Sequence, residues 1–116
     1  MKINVDIMTT AAGEASQFLK SLAHPHRLMI VCMMMEAERS VGELAKALGV
    51  RDSTVSQHLA VLRKDGVVVA RRDGQTIWYT LGDGPARAII ATLYSAYCPP
   101  ASASAPRRGR KSVAAT

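Results

Sequence analysis

The sequence lacks a long apolar run and has only two cysteines, Cys32 and Cys98. No window reaches the roughly 18 apolar residues that a membrane-spanning helix requires. The first ten residues carry Asp6 and lack the apolar core and small-residue cleavage site of a secretory leader. We therefore expect a cytoplasmic protein with no membrane partner. Because the chain has no Cys-x-x-Cys motif and no supported Cys/His/Asn arrangement, a thiol oxidoreductase is disfavoured, and we predict no catalytic residues.

The length and charge predict one domain and a basic tail. A chain of 116 residues with 48% hydrophobic residues suffices for a single core, which we assign to residues 1–98. Residues 99–116 are rich in Ala, Ser and Pro, and we expect a disordered tail that contacts DNA phosphates non-specifically. The net charge of +6 favours a polyanionic partner only modestly. Four of the positive charges lie in the tail, at Arg107, Arg108, Arg110 and Lys111.

Residues 41–65 have the pattern of two short amphipathic helices joined by a tight turn. Apolar residues of the first helix recur at steps of three and four, and this stripe comprises Val41, Leu44, Ala45 and Leu48. Gly49 stands where a helix ends in a left-handed residue. Asp52 or Ser53 is expected to cap the second helix, whose buried stripe comprises Val55, Leu59 and Leu62. The pattern predicts a helix-turn-helix, with an ordinary helical hairpin as the alternative.

The second helix has a polar exposed face near its start. In a helix-turn-helix, the N-terminal part of the second helix meets base edges in the major groove. Gln57 is the predicted base reader, because its amide donates and accepts a hydrogen bond at once and so matches the N7 and N6 edge of adenine. Hydroxyl groups suit phosphates or either base. The predicted DNA contacts of this helix are Ser53, Thr54, Ser56, Gln57 and His58.

The next segment predicts a β-hairpin. A β-branched apolar run at residues 67–70 and a second run at residues 76–81 are separated by the sequence Arg-Arg-Asp-Gly-Gln. The glycine tolerates the positive φ that a tight hairpin turn requires. Basic residues at the tip of such a wing would neutralise phosphates or enter a minor groove. The residues expected at the tip are Arg71, Arg72 and Gln75.

Three further helices complete a fold that is mostly α-helical with a two-stranded β-hairpin wing. A helical pattern runs through residues 11–22, and Pro25 marks the start of a helix over residues 25–36, because proline is tolerated in a first turn. Methionines 33–35 are interpreted as core residues, with a role in lining a ligand pocket as the alternative. A last helix is expected over residues 86–97 and is ended by Pro99 and Pro100.

This order of elements resembles the ArsR/SmtB family of winged-helix repressors over roughly residues 10–98. The resemblance is carried by LAHPHRL at residues 22–28, by VGELA and TVSQHLAVL in the helix-turn-helix, and by GVV and RRDGQTIWY in the wing. It implies a homodimer in which the first and last helices pair across a two-fold axis. The resemblance also implies double-stranded operator DNA as the partner. The two-fold symmetry of the dimer implies that the operator is palindromic.

Many members of that family sense metals, but their usual ligand sets are missing here. Residues 41–48 contain no cysteine for a thiolate cluster, and the last helix contains no histidine for a zinc or nickel site. Asp83 alone cannot complete a tetrahedral site. His24 and His26 flank Pro25 and are interpreted as capping or surface residues. We therefore predict no metal site and no cofactor, with an ArsR-type repressor that senses a metal or another ligand as the alternative.

Cys32 and Cys98 are 66 positions apart, and this spacing does not establish contact. From the residues alone, Cys32 fits a small core residue and Cys98 an exposed one without a role. The chain is also similar to the persulfide- and redox-responsive subgroup of the family, which carries one cysteine in the second helix and one at the end of the last. This resemblance implies that a sulfur bridge between the two thiols releases the DNA. A winged helix used for protein binding remains a further alternative.

Overall fold

The computed structural model describes residues 2–98, so the tail predicted for residues 99–116 lies outside the described residues. The described chain is mostly helical with a small antiparallel sheet, which confirms the predicted class. Its elements are α1 (Val5–Leu22), α2 (Pro25–Met33), β1 (Arg39–Ser40), α3 (Val41–Leu48), α4 (Asp52–Lys64), β2 (Val68–Asp73), β3 (Thr76–Leu81) and α5 (Ala86–Tyr97). Between residues 2 and 98 no helix is long and apolar enough to cross a membrane.

One apolar core joins α2, α3, α4, the base of the hairpin and α5. Burying a side chain of this kind stabilises a fold by about 1.5–3 kcal/mol, so this core is the main source of stability. The stripe predicted for α4 is fully buried, whereas in α3 Leu44 and Ala45 are buried and Val41 and Leu48 half-buried. The large core side chains are Ile30, Val31, Met34, Leu44, Val55, Leu59, Leu62, Val67, Val68 and Ile90.

The first two helices begin at capped positions. α1 starts at Val5 rather than at residue 11, because the Asn4 side chain accepts hydrogen bonds from the backbone N–H groups of Asp6 and Ile7 at 3.0 and 3.2 Å. α2 starts at Pro25 as predicted. The His24 Nδ1 atom accepts the backbone N–H of His26 at 3.0 Å, which confirms the capping role of His24.

α2 ends earlier than predicted, at Met33 rather than at residue 36. Residues 34–36 form a turn in which the N–H of Met35 reaches the carbonyl of Cys32 and the N–H of Glu36 reaches that of Met33. These bonds span three residues, which is the tighter winding common at helix ends. Met34 is the buried member of the three methionines, while Met33 and Met35 are half-buried.

The helix-turn-helix is well defined at α3 and differs from prediction at α4. Ser40 and Glu43 form a reciprocal capping box at the start of α3, and Gly49 ends that helix with a φ of 70°. The predicted cap of α4 by Asp52 or Ser53 is wrong, because both residues lie inside the helix. Arg51 occupies the cap position with extended backbone, and no side chain of the described residues caps α4.

The wing is a β-hairpin to which β1 adds a third strand. Asp73 pairs with Thr76, so Gly74 and Gln75 form a two-residue turn, in which Gly74 has a φ of 64°. Gln75 therefore lies at the tip as predicted. Arg71 and Arg72 do not, because strand pairing continues past them to Asp73. β1 pairs with β3, and this strand of two residues was too short to be predicted from a periodic pattern.

The base of the wing is closed by Gly82. Its N–H donates to the carbonyl of Val67 at 2.9 Å. A Cβ atom at this position would lie 2.6 Å from the carbonyl oxygen of Gly66, so only glycine allows this approach. The end of β3 is thereby held against the end of α4, which fixes the wing beside that helix.

α1 and α5 are less covered than the rest of the fold. Leu22 of α1 and Ile90 of α5 are buried, but Leu19 is 55% exposed and Tyr97 is 82% exposed. The C-terminal part of α1 is tied to the end of α4, because the buried Ser21 hydroxyl donates to the Asp65 carboxylate. Both helices thus present apolar surface that the single chain does not cover.

Candidate DNA-binding surface and cysteine pair

The exposed face of α4 carries the polar residues that the sequence analysis assigned to DNA. Successive helix residues turn by about 100°, so Ser53 and Gln57 lie on one side and the buried stripe lies opposite. Ser53, Ser56 and Gln57 are exposed, whereas Thr54 and His58 are half-buried. Contact of these side chains with bases or phosphates stays a prediction.

Two flanks of α4 have different neighbours. Ser56 lines a shallow depression of about 470 Å³ between α4 and the wing, with Arg63, Lys64 and Tyr79 among its other lining residues. His58 lies on the other flank, against the start of α2. Its ring centroid is 4.5 Å from that of His24, and its Nδ1 atom is 3.5 Å from the Arg27 Nη1 atom. The described contacts of His58 are therefore with protein side chains.

The environment of His58 disfavours the protonated form of its ring. Burial lowers the pKa of His58, and the positive charges of His24, Arg27 and His26 lower it further. His24 and His26 were interpreted from the sequence as capping or surface residues, and in the structure both also lie beside His58. His58 is more than 30 positions away from them, so only the packing of α2 on α4 brings the three together.

The two wing arginines have unlike surroundings. Arg71 forms a two-point ion pair with Glu38, with its Nη2 and Nε atoms 2.6 and 3.1 Å from the two carboxylate oxygens. The hydrogen bond from Arg71 holds the pKa of Glu38 below its usual range. Arg72 is exposed, and its Nη1 atom lies 3.5 Å from the carbonyl oxygen of Gly74. Arg72 is thus the freer of the two cations.

Sequence reasoning missed two charged residues of this surface. Glu38 was not considered, because nothing local indicates that it meets a residue 33 positions later. Arg51, which is exposed at the cap position of α4, was also not named. A basic residue in the turn before a recognition helix was a signal by which Arg51 could have been named as a candidate phosphate contact.

Cys32 and Cys98 line the same open cavity of about 640 Å³ between α2 and α5. Cys32 lies in α2 and is half-buried, and Cys98 directly follows α5 and is exposed. Both are free thiols. The cavity is largely apolar, and Leu28, Met29, Met33, Leu93, Tyr94 and Tyr97 complete its lining. Met33 lines this cavity and also packs against the core, while a role in binding a ligand stays the alternative prediction.

The surroundings of Cys32 affect the ionisation of its thiol. Burial raises the pKa of Cys32, and the negative charge of a neighbouring Cys98 thiolate raises it further. Since the thiolate is the nucleophile, the raised pKa lowers the reactivity of Cys32 at neutral pH.

Comparison with known proteins extends over most of the chain. The family model described as "Bacterial regulatory protein, arsR family" matches residues 24–69. The transcriptional activator HlyU of Vibrio cholerae is 42% identical over 83% of this chain and 89% of its own length. The solved structure of its reduced form has a TM-score of 0.76 and covers 79% of this chain and 97% of that one.

Two further proteins extend the comparison. The biofilm growth-associated repressor of Agrobacterium fabrum is 42% identical over 85% of each chain. The homodimeric winged helix-turn-helix domain of Mb0332 from Mycobacterium bovis is 28% identical, has a TM-score of 0.69 and covers 80% of this chain and 86% of that one. These relatives are transcription factors, which confirms that the chain is not an enzyme. The chain belongs to the ArsR family of bacterial regulatory proteins and is a DNA-binding transcriptional regulator with a winged helix-turn-helix.

Proposed function

We propose that this regulator is a homodimeric repressor that releases a palindromic operator when Cys32 and Cys98 become bridged by reactive sulfur species or an oxidant. The observation that carries the proposal is that both thiols line one cavity between α2 and α5. The name of the Agrobacterium relative, a repressor, supports this direction of regulation, although the Vibrio relative is named an activator. The Vibrio structure is that of a reduced form, which supports a redox-sensitive state.

Exposed apolar side chains support dimerisation through α1 and α5. Leu19 of α1 and Tyr94 and Tyr97 of α5 are each more than half exposed, which is unfavourable for a lone chain. The homodimeric Mb0332 domain supports the same assembly. Two recognition helices related by two-fold symmetry suit half-sites about 34 Å apart. A DNA partner in turn supports a cytoplasmic location.

The proposed DNA contacts divide into base readers and phosphate contacts. Gln57 is exposed at the centre of the recognition face and is assigned to a base edge. Arg72 is assigned to a phosphate or minor-groove contact, because it is exposed at the outer part of the wing. The remaining proposed contacts are Ser53, Thr54, Ser56, His58 and Gln75. Arg71, which the sequence also predicted as a contact, is paired with Glu38 and is proposed to contribute little to DNA binding.

The exposed Cys98 is the proposed first nucleophile in the bridging reaction. Its thiolate attacks the terminal sulfur of a persulfide RSSH, takes up that sulfur and releases the thiol RSH. Cys32 then attacks the inner sulfur of the Cys98 persulfide, which forms the disulfide and releases hydrogen sulfide. Two electrons pass from the cysteine pair to the persulfide. With hydrogen peroxide, Cys98 would form a sulfenic acid and release one water. Cys32 would then attack that sulfur, which forms the disulfide and releases a second water.

A bridge would reach the DNA-binding surface through α2. Cys32 is part of α2, which packs against both α5 and the recognition helix α4. Joining α2 to the end of α5 therefore changes the support of α4. Because both half-sites must be met at once, a small change in the angle between the two recognition helices weakens operator binding.

The test compares wild type with Cys32→Ser and Cys98→Ser before and after persulfide treatment. All three reduced proteins should bind the operator equally, because neither thiol lies on the recognition face. Only wild type should release the operator, show the mass of a bridged chain and recover binding after reduction with dithiothreitol. Full release by the Cys98→Ser protein would refute the mechanism. Failure of every reduced protein to retain palindromic DNA at moderate salt would instead favour a protein-binding winged helix.

A further inference from the structure

All three histidines of the sequence meet at one place, between the start of α2 and the flank of α4. His24 caps α2, His26 lies in its first turn, and His58 extends from α4 towards them. The ring centroids are 4.5 Å apart for His24 and His58, and 5.7 Å apart for His26 and His58. Each ring is half-buried, and one ring nitrogen from each residue lies within 4.8 Å of the other two. We call this group the histidine cluster.

We propose that the histidine cluster is a binding site for a late first-row divalent cation, with Zn²⁺ as the representative ion. Imidazole nitrogen is a preferred ligand of zinc, cobalt, nickel and copper. Three histidines supply three of the four ligands of a tetrahedral zinc site, and a water molecule can supply the fourth. Nitrogens bound to one zinc at about 2.0–2.1 Å lie roughly 3.4 Å apart, so closure requires only small side-chain rotations. The site is separate from both cysteines and from Asp83.

Binding at this site competes with two hydrogen bonds of the metal-free protein. A neutral imidazole has one nitrogen with a free lone pair. In His24 that lone pair, on Nδ1, accepts the N–H of His26, and in His58 the Nδ1 atom faces the Arg27 guanidinium at 3.5 Å. Metal binding through either nitrogen of these rings removes the bond at Nδ1, because the other nitrogen must then carry the proton. The cation therefore displaces the cap of α2 and the contact with Arg27.

The competition between the cation and these hydrogen bonds determines two measurable properties of the site, its affinity and its stoichiometry. Arg27 is held by its own bonds to the carbonyls of Ser21 and Lys20, so its charge stays near the cluster and limits affinity for a cation. The bound ion would tie the start of α2 directly to the recognition helix α4. The site is thus expected to be saturable and of moderate affinity, with one ion per chain.

The experiment uses the untagged full chain carrying Cys32→Ser and Cys98→Ser, so that no thiolate can bind the metal. Titration with Co²⁺ should produce the strong visible absorption of a tetrahedral nitrogen site and reach saturation at one ion per chain. Zn²⁺ should abolish that absorption by displacing Co²⁺. In nuclear magnetic resonance spectra, Zn²⁺ should shift the ring signals of all three histidines together.

Matched variants separate the ligand role from a structural one. His24→Asn keeps a capping oxygen at the start of α2 but removes an imidazole, and His26→Ala removes a ring whose side chain does not cap the helix. Each should weaken Zn²⁺ binding at least ~10-fold without changing the helix content. Asp83→Asn, which changes an exposed carboxylate in the turn before α5, should leave binding unchanged. Equal Zn²⁺ affinity in the His24→Asn, His26→Ala and parent proteins, or no saturable binding by the parent, would overturn the proposal.

Discussion

Two regions of the molecule differ in how their apolar faces are buried. One is the helix-turn-helix with its wing, and the other is the pair formed by α1 and α5. Leu44, Leu59 and Leu62 bury the inner faces of α3 and α4 within the single chain, and both ends of α3 are closed by local bonds. α1 and α5 instead keep large apolar side chains such as Leu19 and Tyr97 exposed. The DNA-binding part is therefore complete in one chain, while the outer helices depend on a second copy under the proposed function.

The two regions also differ in the functional groups that they present. The recognition face contains hydroxyl and amide groups, whereas the cavity between α2 and α5 is lined by the two thiols. Under the proposed function, this separation keeps the sulfur chemistry away from the DNA contacts. α2 connects them, because it packs on α4 as well as on α5. Variants in the helix-turn-helix and wing should therefore change chain stability or DNA binding, whereas variants in α1 and α5 should change dimerisation.

The largest expected effect follows a change in the core of the helix-turn-helix. Leu62→Ala removes a fully buried side chain of α4 and should lower the free energy of unfolding by about 2–5 kcal/mol, measured by urea denaturation. Tyr97→Ser should instead raise the dimer dissociation constant in sedimentation experiments and leave the helix content of the chain unchanged. A loss of stability in the Tyr97→Ser chain as large as that in Leu62→Ala would remove the distinction between the two regions.

A smaller effect is expected at the recognition face. Gln57→Ala should weaken binding to the specific operator by about 1–3 kcal/mol and relax the base preference at one position of each half-site. Stability should be unchanged because Gln57 is exposed. Binding should be measured on the operator and on random DNA of the same length. Equal losses on both would contradict the assignment of Gln57 as a base reader.

Variants of the two wing arginines should differ in the salt dependence of their DNA binding. Arg72→Ala should weaken binding to all sequences and lower the slope of log affinity against log salt concentration by about one unit. The double variant Arg71→Ala with Glu38→Gln removes a paired cation and its anion together, so its slope should stay close to that of wild type. Titrations at several salt concentrations measure both slopes. An equal decrease in the double variant would mean that Arg71 contacts DNA despite its ion pair.

The smallest expected effect is that of metal removal. Chelation should leave operator binding by the reduced protein unchanged, because His24 and His58 have hydrogen-bond partners without any ion. The measurement is operator affinity before and after dialysis against EDTA. Loss of binding that Zn²⁺ restores would show that the DNA-binding part requires a metal after all.

Local signals accounted for much of the fold. The stripe Val55, Leu59 and Leu62, the helix start at Pro25 and the helix end at Gly49 were all predicted, because each depends on residues within a few positions. The errors also have local causes. The start of α1 was missed although Asn4 was a capping signal, and the cap of α4 was assigned to residues that lie inside the helix.

The sequence by itself therefore determined the order of the elements, the polar face of α4 and the family of the protein, since backbone propensity and apolar spacing act over short distances. Only the tertiary structure decided which distant side chains meet. The pairing of Arg71 with Glu38, the convergence of His58 on His24 and the shared cavity of Cys32 and Cys98 all join separate elements. Such contacts depend on how α2 packs against α4 and α5 and how the wing pairs with β1, and no local pattern in the chain encodes those distances.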